Sequence, residues 1–84
     1  MNIEPAICDA IRSTLYTCDG RPLLSSALLT YVRPLVTIPM VASDLQAHLL
    51  HLEERGEVQR HANPDNHTIL SWSLTSAGKT RVKK

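Results

Sequence analysis

Isoleucine and leucine recur every four residues at Ile3, Ile7, Ile11 and Leu15, with Ala6 and Ala10 beside them. Asp9 and Arg12 fall on other faces, so the stretch predicts an amphipathic helix. Asp19-Gly20 stops it, because glycine takes the left-handed conformation that ends helices. Arg21-Pro22-Leu23-Leu24 reads as extended, since a proline pushes its predecessor out of the helical region. Ser25 or Ser26 is the expected cap of a second helix through Ala27, Leu28, Tyr31 and Val32, ended or kinked near Arg33 by Pro34. Leu35 to Val41, with Pro39, form an irregular connector.

A third helix opens at Ala42 or Ser43. Ser43-Asp44-Leu45-Gln46 has the S-x-x-Q form of a capping box, and Asp44 suits the positive end of the helix dipole. Leu45, Leu49 and Leu52 fall within about 60° of one another around the axis and predict the core stripe. Gly56 terminates this helix. The period then changes from 3.6 to 2. Glu57–His61 reads as a strand, residues 62–67 are dense in turn formers, and Thr68–Leu74 reads as a second strand. Leu70, Trp72 and Leu74 share one face of it and Ser71 and Ser73 the other, which predicts an antiparallel hairpin. Thr75 is placed to cap a last helical turn through Ala77.

Composition narrows the class. The 84 residues are 43% hydrophobic and 20% charged, a globular balance that fits one domain over residues 1–84. Aromatic residues make up only 4%, with no Phe, so the core must be aliphatic. No apolar run approaches the roughly 18 residues of a membrane span, and Met1-Asn2-Ile3-Glu4-Pro5 has no secretory character. A soluble protein of the reducing cytoplasm, without membrane contact, is expected. Cys8 and Cys18 stand ten positions apart on one predicted helix, a rise of about 15 Å against the roughly 7 Å a disulfide allows. They are expected to be buried thiols. The net charge of +1 hides an asymmetry: residues 1–56 carry −2 and residues 57–84 carry +3, with a basic tail at 79–84. A basic third attracts polyanions.

The order helix, extended segment, helix, helix, hairpin is that of a winged helix-turn-helix domain, an α+β fold with a three-helix core and an antiparallel β-hairpin wing. Leu52-Glu53-Glu54-Arg55-Gly56-Glu57-Val58-Gln59-Arg60 resembles the L-E-x-x-G-h-h-x-R run that ends the recognition helix of MarR-like bacterial regulators. Leu74-Thr75-Ser76-Ala77-Gly78-Lys79 is similar to their L-T-x-x-G-K/R run after the wing, and the Gly56 to Gly78 spacing resembles their wing length. The likeness covers residues 42–79, and residues 21–33 more loosely. Three departures stand out. MarR-like proteins carry further dimerisation helices, for which 84 residues leave no room for a full set. The connector before the third helix is longer than a tight turn. At the wing tip Asn66-His67 replaces the family's arginine.

The resemblance implies duplex DNA as partner, in a small transcriptional regulator or accessory factor acting as a homodimer. Ser43, Gln46, Ala47 and His51 would face bases, with Gln46 suited to adenine, while Arg60, His67 and Lys79 would face phosphates. Against this, Asp44 and Glu54 repel phosphate and Leu50 is apolar. A protein partner contacting Ala47, Leu50 and Glu54 is the alternative. Other chemistry finds little support. His48, His51, His61, His67 and the cysteines lack the pair spacing of structural zinc, and His48 fits the edge of the core. Ser76-Ala77-Gly78-Lys79-Thr80 ends like a phosphate-binding loop, but Ser73 stands where its first glycine belongs. No Ser, His and Asp spacing marks an activated nucleophile, so neither an enzyme nor a bound cofactor or metal is expected.

Overall fold

The computed structural model describes residues 3–66 and 68–82. Helix α1 spans Pro5–Thr17, strand β1 Leu23–Leu24, helix α2 Ser25–Val32, helix α3 Ala42–Glu54, strand β2 Val58–Ala62, strand β3 Leu70–Leu74 and helix α4 Ser76–Thr80. The fold class is the α+β winged helix expected. Pro5 occupies the start of α1, where its missing N–H costs nothing. Ile3 therefore lies outside the helix and is exposed, while Ile7, Ile11 and Leu15 bury the stripe. At its C-terminus Asp19 (φ 52°) and Gly20 (φ 82°) are both left-handed.

Two caps differ from expectation. Helix α2 begins directly after β1 with Leu24 at its N-cap and no side-chain cap, because Ser25 is used elsewhere. Its hydroxyl donates to the Leu70 carbonyl (3.3 Å) and accepts the Trp72 indole N–H (2.8 Å). Helix α3 is capped two residues earlier than the capping box implied. Val41 is the N-cap, and Asp44 at the third helical position accepts the Val41 N–H at 3.1 Å. A valine side chain has no acceptor, so only this half of the reciprocal pair forms.

The connector is a 3-10 turn at Arg33–Leu35 followed by irregular chain, tied down by Arg33 Nε donating to the Met40 carbonyl at 3.0 Å. The sheet has three antiparallel strands in the order β1-β3-β2. Leu23 pairs with Trp72 and Leu24 with Ser71; on the other side Val58 pairs with Leu74, Arg60 with Trp72 and Ala62 with Leu70. Leu28, Val32, Leu45, Leu49, Leu52 and Trp72 meet Ile11 and Leu15 in one core, with Val58 and Leu74 at the hairpin root.

His48 does more than edge the core. It is buried on α3, and its Nε2 accepts the Glu4 N–H (3.0 Å) at the first turn of α1. The ring proton therefore sits on Nδ1 and goes to the Asp44 carbonyl at 2.6 Å. Cys8 is buried and Cys18 half-buried, both free thiols; burial pushes the Cys8 thiol up, out of the reactive range.

The two sequence runs that carry the family resemblance meet in space. Gly56 (φ 74°) closes α3 in a Schellman motif, with Glu57 N–H donating to Leu52 (2.9 Å) and Gly56 N–H to Glu53 (2.9 Å). Thr75, the N-cap of α4, accepts the Gly78 N–H at 3.1 Å and donates its hydroxyl to the Gly56 carbonyl at 2.6 Å. Its own N–H donates to the Glu57 carbonyl (3.1 Å). Gly78 is buried so tightly that a Cβ would fall on that Glu57 oxygen and on the Leu74 side chain. Gly78→Ala is thus expected to lower unfolding stability in urea by about 1–3 kcal/mol through overpacking against backbone. Gly20→Ala, where a Cβ meets open space, costs only left-handed strain of about 1–2 kcal/mol. An unfolding midpoint for Gly78→Ala at or above the parent's would show that no clamp exists there.

Candidate functional site

The free face of α3 follows from its leucine stripe. With Leu45, His48, Leu49 and Leu52 turned into the core, Ser43, Gln46, Ala47, Leu50, His51 and Glu54 line the opposite side at helical spacing. Ser43, Leu50 and Glu54 are exposed; Gln46, Ala47 and His51 are half-buried. The structure brings all four predicted base-facing residues onto one row, and the alternative contact set Ala47, Leu50 and Glu54 onto the same row.

Gln46 is the point where three elements converge. It lines a groove of about 590 Å³ with Leu24, Ser25 and Ser26 from the β1–α2 junction and Thr68, Ile69 and Leu70 from the turn end of the hairpin. An adjoining groove of about 450 Å³ shares Ser25, Ser26 and Gln46 and continues to Ala42 and Ser43. Sequence reasoning alone misses Ser26 and Thr68 as groove residues. Their sequence signal is a hydroxyl next to a helix start and a turn, which is too common to identify them. The first turn of α2, whose Ser25 and Ser26 line this groove, has no side-chain cap for its backbone N–H groups.

Of the two acids that weighed against a polyanion, Asp44 is engaged and Glu54 is not, while the neighbouring Glu53 and Glu57 are paired. Asp44 is bound to the Val41 N–H, and Glu53 takes a bidentate pair from Arg60 at 3.1 and 3.2 Å. Glu57 is 3% exposed and accepts Arg12 Nε (2.6 Å) and Arg55 Nε (2.7 Å), while Arg12 also reaches Asp9 at 2.7 Å. Burial alone would raise the Glu57 carboxyl, but the hydrogen bonds from Arg55 and Arg12 outweigh it and hold the group below its usual range. Asp44 and Glu54 are the acids of α3 without an ion pair among the described residues, and Glu54 is the one on the free row.

The predicted phosphate contacts are scattered. Arg60 lies on β2 opposite Trp72, with its guanidinium carbon 6.0 Å from the indole centroid, and its exposed side chain pairs with Glu53. Lys79 is exposed on α4 beside Gly78, at the root of the hairpin, the end away from the Gln46 groove. His67, Lys83 and Lys84 lie outside the described residues. Among the described residues no three His, Cys, Asp or Glu side chains converge on a metal-sized site, and no helix is long and apolar enough to cross a membrane.

No protein-family model and no curated protein matches the sequence. Solved structures do match. A mutant of MepR from S. aureus, bound to an oligodeoxyribonucleotide, superposes with a TM-score of 0.75 at 14% identity, over 90% of this chain and 51% of that one. A probable transcriptional regulator from Pseudomonas aeruginosa gives a TM-score of 0.70 at 26% identity, over 95% and 53%. YusO from Bacillus subtilis gives 0.73 at 18%, over 94% and 50%. The chain spans about half the length of these proteins. At that extent it is a winged helix-turn-helix domain resembling MarR-like transcriptional regulators.

Proposed function

We propose that the chain is the duplex-DNA-reading domain of a transcriptional regulator, a binding module rather than an enzyme, working in the cytoplasm. The observation that carries the reading is the groove in which Gln46 of α3 meets the first turn of α2 and the turn end of the wing hairpin. Helix α3 lies in the major groove, with Ser43, Gln46, Ala47 and His51 toward base edges. Phosphates are held by the α2 first turn, by His67 and by Arg60, which exchanges Glu53 for a phosphate oxygen. Lys79, at the far end of the hairpin, adds only to the long-range field. Two copies on a two-fold site would supply the reach that one 84-residue chain lacks.

Salt titration of a labelled duplex tests this. About three phosphate contacts imply an affinity loss on the order of 40-fold between 50 and 200 mM salt. Arg60→Ala is expected to lower that salt slope by about 1 and Lys79→Ala to leave it unchanged. Gln46→Ala is expected to cost about 1–3 kcal/mol on the preferred site, with the slope unchanged. A protein partner is favoured instead by the exposure of Leu24 and Ile69 in the groove and of Leu50 one turn along α3 from Gln46. No duplex binding at 50 mM salt, together with a partner lost on Leu50→Asp, would establish that second reading.

A further inference from the structure

Helix α3, residues Ala42–Glu54, contains neither arginine nor lysine. The side chains that pair bidentately with the O6 and N7 of guanine are therefore missing from the element placed to read bases. Beside Ser43, His51 and Glu54, its free row offers one amide, Gln46, and two apolar side chains, Ala47 and Leu50. Leu50 is 40% exposed and belongs to no part of the core. An exposed leucine on a binding helix gains from contact with apolar surface. In the major groove that surface is the C5-methyl group of thymine.

Resting on the reading of α3 as a major-groove helix, we propose that this domain selects A·T base pairs by thymine methyl contact. Ala47 and Leu50 cover the methyl groups, and Gln46 pairs with the N6 and N7 of adenine. The spacing suits the task. Residues 47 and 50 are separated by about 4.5 Å of helix rise, close to one base-pair step of about 3.4 Å. Gln46 and Leu50 are one turn apart on the same row, so amide and leucine reach neighbouring pairs. Discrimination also comes from the wrong base. A cytosine amino group placed against Leu50 loses its water and finds no acceptor there. Glu54, the acceptor of cytosine type on this row, stands a full turn beyond Leu50. His51 is half-buried and follows Leu50 directly on the helix.

The test begins with selection of bound duplexes from a random pool by the full chain. The preferred site is then rebuilt with deoxyuridine in place of thymidine, which removes the methyl and leaves base pairing intact. Wild type is expected to enrich A·T steps and to bind the uracil duplex about fourfold more weakly per methyl removed. Leu50→Ala, an exposed substitution that leaves the circular dichroism spectrum unchanged, is expected to bind the two duplexes with more nearly equal affinity. Equal affinity of wild type for thymine and uracil duplexes would overturn the methyl contact, as would enrichment of guanine-rich sites. Either result leaves DNA binding itself standing. Failure to retain any duplex at 50 mM salt would remove the DNA reading and this inference with it.

Discussion

Replacing Glu57 by glutamine is expected to destabilise the fold by about 3 kcal/mol, the lower end of what breaking a buried ion pair costs. The carboxylate is 3% exposed and joins Arg12 of α1 to Arg55 at the end of α3. Glutamine offers one acceptor oxygen where two guanidinium groups donate, and it leaves Arg12 largely buried with only Asp9 as counter-ion. Changing Arg12 to methionine and Glu57 to leucine together is expected to cost less than Glu57→Gln alone, because neither charge is then stranded. The same site sets an acid response. Glu57 is held below its ordinary value of 4.5 in the folded state. Its contribution is therefore complete above 4.5 and lost as pH falls through the lower folded-state value. Urea midpoints measured across that interval are expected to drop in wild type more steeply than in Glu57→Gln. Parallel curves would show that the carboxylate is not stabilised by its arginines.

Trp72 is the second large lever. It is the single tryptophan, fully buried on the central strand, with its indole N–H on Ser25. Trp72→Ala is expected to cost about 3–5 kcal/mol. A domain this size holds only about 4–13 kcal/mol in total, so much of the population would unfold. Ser25→Ala, which leaves the indole N–H buried and unpaired, is expected to cost about 1–3 kcal/mol. In a Trp72→Phe background the same serine change is expected to cost less, since no donor remains to be stranded. Circular dichroism melts of the four variants check both. An unchanged serine penalty in the phenylalanine background would mean that the hydroxyl serves Leu70 alone.

Much of the architecture is legible in the sequence because periodicity speaks for long elements. Ile7, Ile11 and Leu15, and then Leu45, Leu49 and Leu52, announce α1 and α3, and the alternation around Trp72 announces β3. Thr75 is recognisable as a cap because the chain turns directly after a strand. Strand β1 is not, since two residues carry no period; Leu23 and Leu24 are strand only because β3 offers them a partner. Ser25 looks like a cap for the same local reason that any serine before a helix does, whereas its bond to Trp72 spans 47 residues. Glu57 reads as an ordinary strand residue, because nothing nearby in sequence shows that Arg12 will arrive beside it.

The candidate site divides along the same line. Ser43, Gln46, Ala47, Leu50, His51 and Glu54 share a row because helical geometry alone puts them there. Arg60 and Lys79 group together by charge, and charge says nothing about distance: the fold gives one to Glu53 and sends the other to the hairpin root. Ser26 and Thr68 enter the groove through tertiary packing that no local pattern encodes.

Thr75 binds the end of α3, the root of the wing and the start of α4 with three hydrogen bonds through Gly56, Glu57 and Gly78. A hairpin riveted in that way has no hinge at its base. For a duplex lying across α3, any misfit between its curvature and the tilt of the wing must then be absorbed by the nucleic acid. Stiff and pliable base steps flanking the contacted pairs would be sorted accordingly, although no side chain touches them.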